Sequence, residues 1–268
     1  KTLFKDLVFK VDNNDPFLYC YGQSKSGKSK FSESVCAIFY KNMPAFNLNS
    51  GTDFAFAQRL SRFRNCPVQF NEFDDSVVRD EWFQAIKGAF DGEGRERGKG
   101  LSKRKTETQK VNGSLLLVGQ YLSTKDDNSV LSRSIPLSFQ LVRNRKRDQV
   151  EMYDRLKQME KEGITSIICE LLPYREKVKD EYYVVFSQVL KELADLIRDA
   201  KEEFDERVIR NYSCLVAMIK IFSQEFKFPF TYKGFRAWAA QEVIDLSKQL
   251  TQNDILVDFW HTVEAMLE

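Results

Sequence analysis

The sequence contains a single histidine, His261, and this scarcity excludes much of the chemistry that enzymes use. A Ser-His-Asp triad, a histidine-rich zinc site or a histidine proton shuttle would each have to use that one side chain. His261 lies in an apolar segment, where a solvated or hydrogen-bonded structural histidine is the favoured interpretation. Any catalysis must therefore use carboxylates, lysines, arginines or a bound ion.

Other features are also absent. The five cysteines are widely spread and form no CxxC pair, which argues against structural zinc and predicts a reducing, cytoplasmic location. No apolar run approaches the roughly 18 residues of a membrane-spanning helix, so no membrane partner is expected. The net charge is only +2, which excludes a uniformly basic nucleic-acid coat, so any basic surface must be local. The chain begins with Lys1 rather than Met, and we expect a longer protein to continue before it.

Two different patterns divide the 268 residues. Up to about Arg143, short apolar runs alternate with helical patterns, which predicts an α/β domain with a parallel sheet covered on both faces. Strands are predicted at residues 17–21, 114–119 and 137–141, and a helix is predicted at residues 31–40. Beyond that point, charged segments with the apolar spacing of amphipathic helices dominate. We therefore predict an α/β ATPase core at residues 1–148 and a helical lid or C-terminal domain at residues 149–268.

Residues 22–29 (GQSKSGKS) match the phosphate-loop pattern GxxxxGK[ST] at every fixed position. An apolar strand pattern precedes the loop and an amphipathic helix pattern follows it, as the motif requires. Lys28 is expected to reach the β- and γ-phosphates of ATP, and the Ser29 hydroxyl to complete a Mg²⁺ shell. A chance surface loop is the alternative. The predicted nucleotide-binding residues are Gly22, Gln23, Ser24, Lys25, Ser26, Gly27, Lys28, Ser29 and Lys30.

Hydrolysis also needs a carboxylate at a neighbouring strand end, where it can polarise water. Glu72 is the best candidate, because it follows the apolar pattern of residues 68–71. Asn71 stands where many such ATPases have an Asp, and we expect it to contact Mg²⁺ through water in a weakened metal shell. Asp74 and Asp75 follow directly, and they either compensate for this change or cap the next helix.

Two residues further along complete the predicted catalytic set of Lys28 and Glu72. Gln120 ends the apolar pattern of residues 115–119, where an ATPase places a group that senses the γ-phosphate. Arg133 follows about a dozen residues later, and an arginine there can act on the nucleotide of a neighbouring subunit. A surface salt bridge is the alternative role for Arg133.

A glycine-rich insertion at residues 92–113 has a net charge of +4, from seven basic residues and three glutamates. We expect a β-hairpin with a basic tip that follows a phosphate backbone, and a solvated loop without a partner is the alternative. The predicted DNA-binding residues are Lys99, Lys103, Arg104 and Lys105. A second basic cluster, interpreted as a solvated hinge, consists of Arg143, Arg145, Lys146 and Arg147.

The order of these features resembles the ATPase domain of superfamily-3-like AAA+ helicases. Residues 49–54 (NSGTDF), 71–75 (NEFDD) and 119–123 (GQYLS) are similar to the helicase part of primase-helicases from bacterial mobile elements and phages. The resemblance covers about residues 15–140 and implies a P-loop NTPase core of the AAA+ type that uses ATP and Mg²⁺. It also implies a homo-oligomer, for which a hexamer is one option, and a primase or zinc-binding region before Lys1.

The first functional hypothesis is an ATP-dependent DNA helicase or translocase. It would hydrolyse ATP at subunit interfaces and move along single-stranded DNA or a DNA fork during replication of a mobile element or phage. The alternative is a nucleotide-gated switch or adaptor ATPase with slow turnover, which Asn71 motivates. A small-molecule kinase is a third option, which the long basic insertion disfavours.

Overall fold

The computed structural model describes residues 1–41, 43–48, 51–74, 80–93, 95–98, 106–123 and 128–267. The strands are β1 (Phe17–Gly22), β2 (Phe46–Asn47), β3 (Pro67–Phe73), β4 (Arg95–Gly98), β5 (Thr106–Gln109), β6 (Ser114–Gly119) and β7 (Ser134–Phe139). The helices are α1 (Lys5–Asp12), α2 (Lys28–Ala37), α3 (Asp53–Arg62), α4 (Asp80–Phe90), α5 (Arg147–Glu162), α6 (Ser166–Leu171), α7 (Arg175–Asp199), α8 (Glu206–Phe222) and α9 (Tyr232–Leu267). Short 3-10 turns occupy Thr2–Phe4 and Leu172–Tyr174.

The described residues form two compact units. One unit comprises the described residues within 2–122 and 136–176, and the other comprises Lys1 and the described residues within 123–135 and 177–267. Helices α5 and α6 therefore group with the sheet, and α8 and α9 belong to the second unit. The predicted division between residues 148 and 149 stays a prediction.

The first unit is organised around a five-stranded parallel sheet with the order β2-β3-β6-β1-β7. Strand β1 is interior and pairs with β6, with Tyr19 opposite Leu117. The chain leaves β1 toward β2 at one edge of the sheet and later passes to β7 on the other side of β1. Parallel α/β sheets bind ligands at the carboxyl end of a strand where the connections diverge in this way.

The two faces of this sheet carry different cores. On the face of α2, Cys20 and Leu116 pack with Cys36 of that helix. The opposite face is aromatic, and its ring pairs include Phe56 against Phe70 at 4.5 Å between centroids. Because both faces are covered, the central strands β1 and β6 are near-continuous apolar runs rather than alternating ones.

The basic insertion forms an antiparallel pair of strands, β4 and β5, with Arg95 opposite Gln109. The structure thus confirms the two antiparallel strands of the predicted hairpin, of which β4 begins at residue 95. The predicted tip residues Lys103, Arg104 and Lys105, like Lys99, lie outside the described residues.

The second unit is helical, and α8 supplies much of its core. Val208, Tyr212, Val216 and Ile221 of α8 are all fully buried, and buried residues occur on every side of this helix. Asp205 caps this helix, because its carboxylate accepts the backbone N–H groups of Arg207 and Val208, in the first turn of α8, at 2.8 and 2.9 Å. No helix in the described part of the chain has the length and apolar composition needed to cross a bilayer.

Candidate nucleotide-binding site

The phosphate loop joins the carboxyl end of β1 to the amino end of α2. Gly22 has a φ of +142°, and a Cβ on it would lie 2.1 Å from the carbonyl oxygen of Phe139, so only glycine fits there. Gly27 has a φ of +97° and directly precedes α2. Among the described residues, no heavy atom lies within 4 Å of the position that a Cβ on Gly27 would take. The loop therefore opens onto free space at the start of α2.

Lys28 is the first residue of α2 and is only 9% exposed. Its Nζ donates to the carbonyl oxygen of Gln23 at 3.0 Å, across the loop. Burial lowers the pKa of the Lys28 amine. A phosphate oxygen would be a stronger acceptor than this carbonyl, because it brings a negative charge. The first N–H groups of α2 have no acceptor within the helix, which adds donors at the same place.

The serine hydroxyls of the loop also fit a phosphate ligand. Ser26 Oγ is buried and has no hydrogen-bond partner among the described residues. Since buried polar atoms are normally hydrogen-bonded, this hydroxyl fits a ligand that carries acceptor oxygens. Ser29 is half-buried in the first turn of α2 and lines the adjoining cleft. Lys30 is exposed, and its Nζ pairs with Glu33 of the same helix at 2.7 Å.

Glu72 has an unusual backbone conformation for its residue type. Its φ is +62°, and the register between β3 and β6 shifts between Phe70 and Phe73, around this residue. Such a bulge redirects a side chain, and a positive φ in a residue other than glycine is uncommon, so this strain is a sign of function. Glu72 is exposed at the carboxyl edge of the sheet, where the phosphate loop also lies.

The side chains around Glu72 form a small polar group. Nδ2 of Asn47, at the end of β2, donates a hydrogen bond to Oε2 of Glu72. Oδ1 of Asn71 accepts a hydrogen bond from Nε2 of Gln69 at 2.9 Å. Sequence reasoning missed Asn47, although a polar residue at a strand end of the same sheet edge was the available signal. Asp74 is half-buried at the end of β3, and Asp75 lies outside the described residues.

Gln120 directly follows β6 and adjoins the phosphate loop. Its carbonyl oxygen accepts the N–H of Gly22 at 3.2 Å, which joins the ends of two neighbouring strands. Gln120 is exposed and lines a cavity of 850 Å³ together with Gln23 and Ser24. The fold therefore places Gln120 beside the loop, as the predicted sensor role requires.

A second cleft, of 660 Å³, lies between the phosphate loop and α5. Its walls combine polar groups with an apolar surface that a planar nucleobase can contact. The sequence interpretation of residues 143–147 as a solvated hinge missed this arrangement, because Arg145 lines the cleft. The lining residues contributed from outside the loop and α2 are Val142, Arg145, Gln149, Tyr153 and Leu156.

Arg133 belongs to the second compact unit, and the phosphate loop belongs to the first. Arg133 is half-buried, and one of its guanidinium nitrogens donates to the carbonyl oxygen of Ser129 at 3.1 Å. The structure of a single chain thus gives Arg133 a local contact, and its predicted action on a neighbouring subunit stays a prediction.

Metal binding at this site would depend on few protein ligands. In the part of the chain that the structure describes, no group of three His, Cys, Asp or Glu residues is arranged to hold a metal ion. Mg²⁺ is commonly held by one or two protein groups, substrate phosphates and water. The hydroxyl of Ser29 and the amide oxygen of Asn71 are suitable donors for that mode of binding.

Comparison with known proteins establishes the fold. No family model and no curated protein matches this chain. A solved structure described as "SCCmec type IV Cch - active helicase" has the same fold, with a TM-score of 0.65 and 17% sequence identity. The alignment covers 96% of this chain and 48% of the other, so this chain spans about half the length of that helicase. The predicted fold, an α/β core with a parallel sheet flanked by helices and followed by a helical region, is confirmed.

Proposed function

We propose that this chain binds ATP with Mg²⁺ and hydrolyses it, with Lys28 holding the phosphates and Glu72 polarising the attacking water. The observation that supports this most is the bulge at Glu72. A carboxylate with a φ of +62°, held by Asn47, stands at the same sheet edge as the phosphate loop. Water activation needs a positioned carboxylate, and a strained backbone fixed by a neighbouring amide provides one.

The remaining loop residues have supporting roles in this proposal. Gly22, Gln23, Ser24, Lys25, Ser26 and Gly27 surround the phosphates, with Lys28, Ser29 and Lys30 at the start of α2. Ser29 and, through water, Asn71 would hold Mg²⁺, which when bound neutralises charge on the phosphates. Gln120 would sense the γ-phosphate from the end of β6.

We further propose that ATP hydrolysis drives movement along single-stranded DNA or a DNA fork in replication of a mobile element or phage. Strands β4 and β5 would present the tip residues Lys103, Arg104 and Lys105, with Lys99 beside them, to the DNA backbone. Arg133 would act on the nucleotide of the next subunit of a cytoplasmic homo-oligomer, with a hexamer as one option. In this proposal, the helicase would work together with a primase region of the same protein. The fold shared with a protein described as an active helicase supports this proposal.

The testing experiment measures steady-state ATP hydrolysis with and without single-stranded DNA. We expect DNA to stimulate the wild-type chain, and the Glu72→Gln variant to bind ATP while losing both basal and stimulated turnover. An exposed acidic residue far along the chain, Glu176→Gln, serves as the control and should leave turnover unchanged. Retention of wild-type turnover by Glu72→Gln would refute the assignment of Glu72.

The second candidate function is a nucleotide-gated switch or adaptor without translocation. It is favoured by Asn71, whose amide replaces a charged metal ligand and already accepts a hydrogen bond from Gln69. A switch would bind ATP tightly and hydrolyse it slowly, with no response to DNA. The same assay separates the two functions, because only the motor couples turnover to DNA.

A further inference from the structure

The segment that joins α8 to α9, together with the first two turns of α9, is rich in aromatic and basic residues. Residues 226–238 (FKFPFTYKGFRAW) contain six aromatic and three basic side chains and no acidic one. Within it, four side chains lie in a row, which we call the aromatic row: Phe228, Phe230, Phe235 and Trp238. Neither the nucleotide site nor the basic hairpin involves these residues.

The rings of the aromatic row are ordered against one another. Phe228 and Phe230 stack with centroids 5.3 Å apart and planes at 15°. Phe230 and Phe235 stack at 5.2 Å and 22°, and Phe235 is followed by Trp238 at 5.1 Å. Trp238 in turn contacts the buried ring of Tyr212 on α8 at 6.0 Å. The row is therefore anchored to the helical core at one end and extends from it.

Much of this aromatic surface is exposed to solvent. Phe230 is 42% exposed and Trp238 is 37% exposed, and Phe228 and Phe235 are half-buried. Apolar rings that serve only as core are normally covered by another element. An exposed, contiguous group of rings instead marks a site of interaction.

The charges around the row favour an anionic partner. Glu192 is 28% exposed and is bound by Arg236, Lys220 and the Tyr232 hydroxyl, which leaves one positive charge in excess in that cluster. Lys227 and Lys233 are exposed, and no ion pair is found for either among the described residues. The acids nearest along the sequence on either side of residues 226–238 are Glu225 and Glu242.

These two acids do not cancel the positive charge. Glu225 is paired with Lys177 at 2.6 Å. Glu242, one turn beyond Trp238 on α9, is half-buried and hydrogen-bonds with the Trp238 side chain, and burial raises its pKa. It offsets one positive charge, whereas the Glu192 cluster, Lys227 and Lys233 together carry three in excess, so a positive charge remains around the row. A polyanion with flat, stackable groups matches the row better than a neutral protein helix does, because it uses both the rings and the two lysines.

We propose that the aromatic row binds single-stranded DNA, with bases stacking on its exposed rings and Lys227 and Lys233 contacting phosphates. This would be a second DNA contact, in the helical unit, beyond the hairpin and the ATP site. This inference rests on the proposed function only in that both take single-stranded DNA as the partner. Stacking of bases on aromatic side chains tolerates any sequence, because every base has a π-face.

The test compares two fluorescein-labelled probes of equal length, oligo(dT) and an abasic strand, by fluorescence anisotropy with the 268-residue chain. We expect Phe230→Ala to weaken oligo(dT) binding by about 5- to 100-fold and to leave abasic binding unchanged. Phe230→Leu keeps the apolar volume but removes the flat ring, and should lose affinity similarly. The matched control changes an exposed aromatic and an exposed lysine on α7, Tyr183→Ala with Lys191→Gln, and should bind like wild type.

The contribution of Lys227 and Lys233 is tested separately, through the salt dependence of DNA binding. Lys227→Gln with Lys233→Gln should reduce the slope of log affinity against log salt by about 1.4 for both probes, at about 0.7 per phosphate contact. Equal binding of oligo(dT) by wild type and both Phe230 variants would overturn the proposal and indicate a protein-docking surface. Absence of any oligo(dT) binding by wild type would overturn it as well.

Failure of this inference can be told apart from failure of the proposed function. If Glu72→Gln loses DNA-stimulated turnover while Phe230→Ala binds DNA like wild type, the aromatic row does not bind DNA, but the proposed DNA-dependent ATPase stands. If Phe230→Ala binds DNA more weakly but DNA does not stimulate ATP turnover of the wild-type chain, the aromatic row binds DNA and the proposed translocation is wrong.

Discussion

The buried ion pair between Lys5 and Asp15 tests how α1 is held against the sheet. Nζ of Lys5 lies 2.7 Å from a carboxylate oxygen of Asp15, and the side chains are only 6% and 3% exposed. The same Nζ donates to the carbonyl oxygen of Gly113 at 2.6 Å, and the Ser114 hydroxyl lies 3.3 Å from Asp15. The pair thus ties α1 to the start of β6.

Replacing Lys5 by Met leaves a buried carboxylate without its cation and a carbonyl without its donor. Removing one partner of a buried pair typically costs about 3–5 kcal/mol of the free energy of unfolding, and we expect a loss in this range. Replacing both partners, Lys5→Met with Asp15→Leu, should recover most of that loss, because a pair exchanged for apolar groups is often nearly neutral. The coupling energy from the double-mutant cycle then measures the interaction.

The assay is urea unfolding at neutral pH, followed by circular dichroism. The control is Arg147→Met, which removes an exposed pair with Glu151 in which the side chains are 93% and 65% exposed. Exposed pairs contribute little, so the control should stay within about 1 kcal/mol of wild type. A loss below about 1 kcal/mol in Lys5→Met, or a double variant less stable than the single one, would refute the reasoning.

Three further predictions concern other parts of the first unit. Gly22→Ala should abolish binding of inorganic triphosphate in calorimetry, because the new Cβ would lie 2.1 Å from the carbonyl oxygen of Phe139. The control Gly163→Ala also has a positive φ, +117°, but its Cβ would enter open space, so this variant should bind triphosphate normally. Tyr153→Ala should lower the affinity for ATP about 3- to 10-fold, because the contact between its ring and the nucleobase is lost, and should leave the affinity for inorganic triphosphate unchanged. An equal loss of affinity for both ligands would contradict a contact between Tyr153 and the base. Hydrogen bonds led by that from Arg175 hold the pKa of Asp6 at about 2, so this interaction stabilises the fold above pH 4 and is lost as pH falls toward 2. Arg175→Met should therefore lose about 1–2 kcal/mol of unfolding free energy at pH 7, after allowance for solvent screening, and this deficit should shrink to a small fraction as the pH of the unfolding measurement falls to about 2.

Local patterns were sufficient for the phosphate loop and for most elements around it. Residues 17–21 and 114–119 were predicted as strands, and both lie side by side as β1 and β6. The helix after the loop begins at Lys28, three residues before its predicted start, because Lys28, Ser29 and Lys30 are polar and add nothing to the apolar periodicity that begins at Phe31. Strand β7 spans Ser134–Phe139 rather than residues 137–141, since Pro136 masks the apolar pattern there.

The sequence by itself determined the phosphate loop, the alternation that produces a parallel sheet, and the amphipathic helices that follow. Each of these depends on residues within a few positions of one another, so spacing alone reports them. Tertiary structure alone decided that Asn47 holds Glu72, 25 positions away, and that Arg145 and Tyr153 face the phosphate loop across a cleft. Such contacts arise from strand order and helix packing, which bring together residues whose separation along the chain leaves no periodic signal.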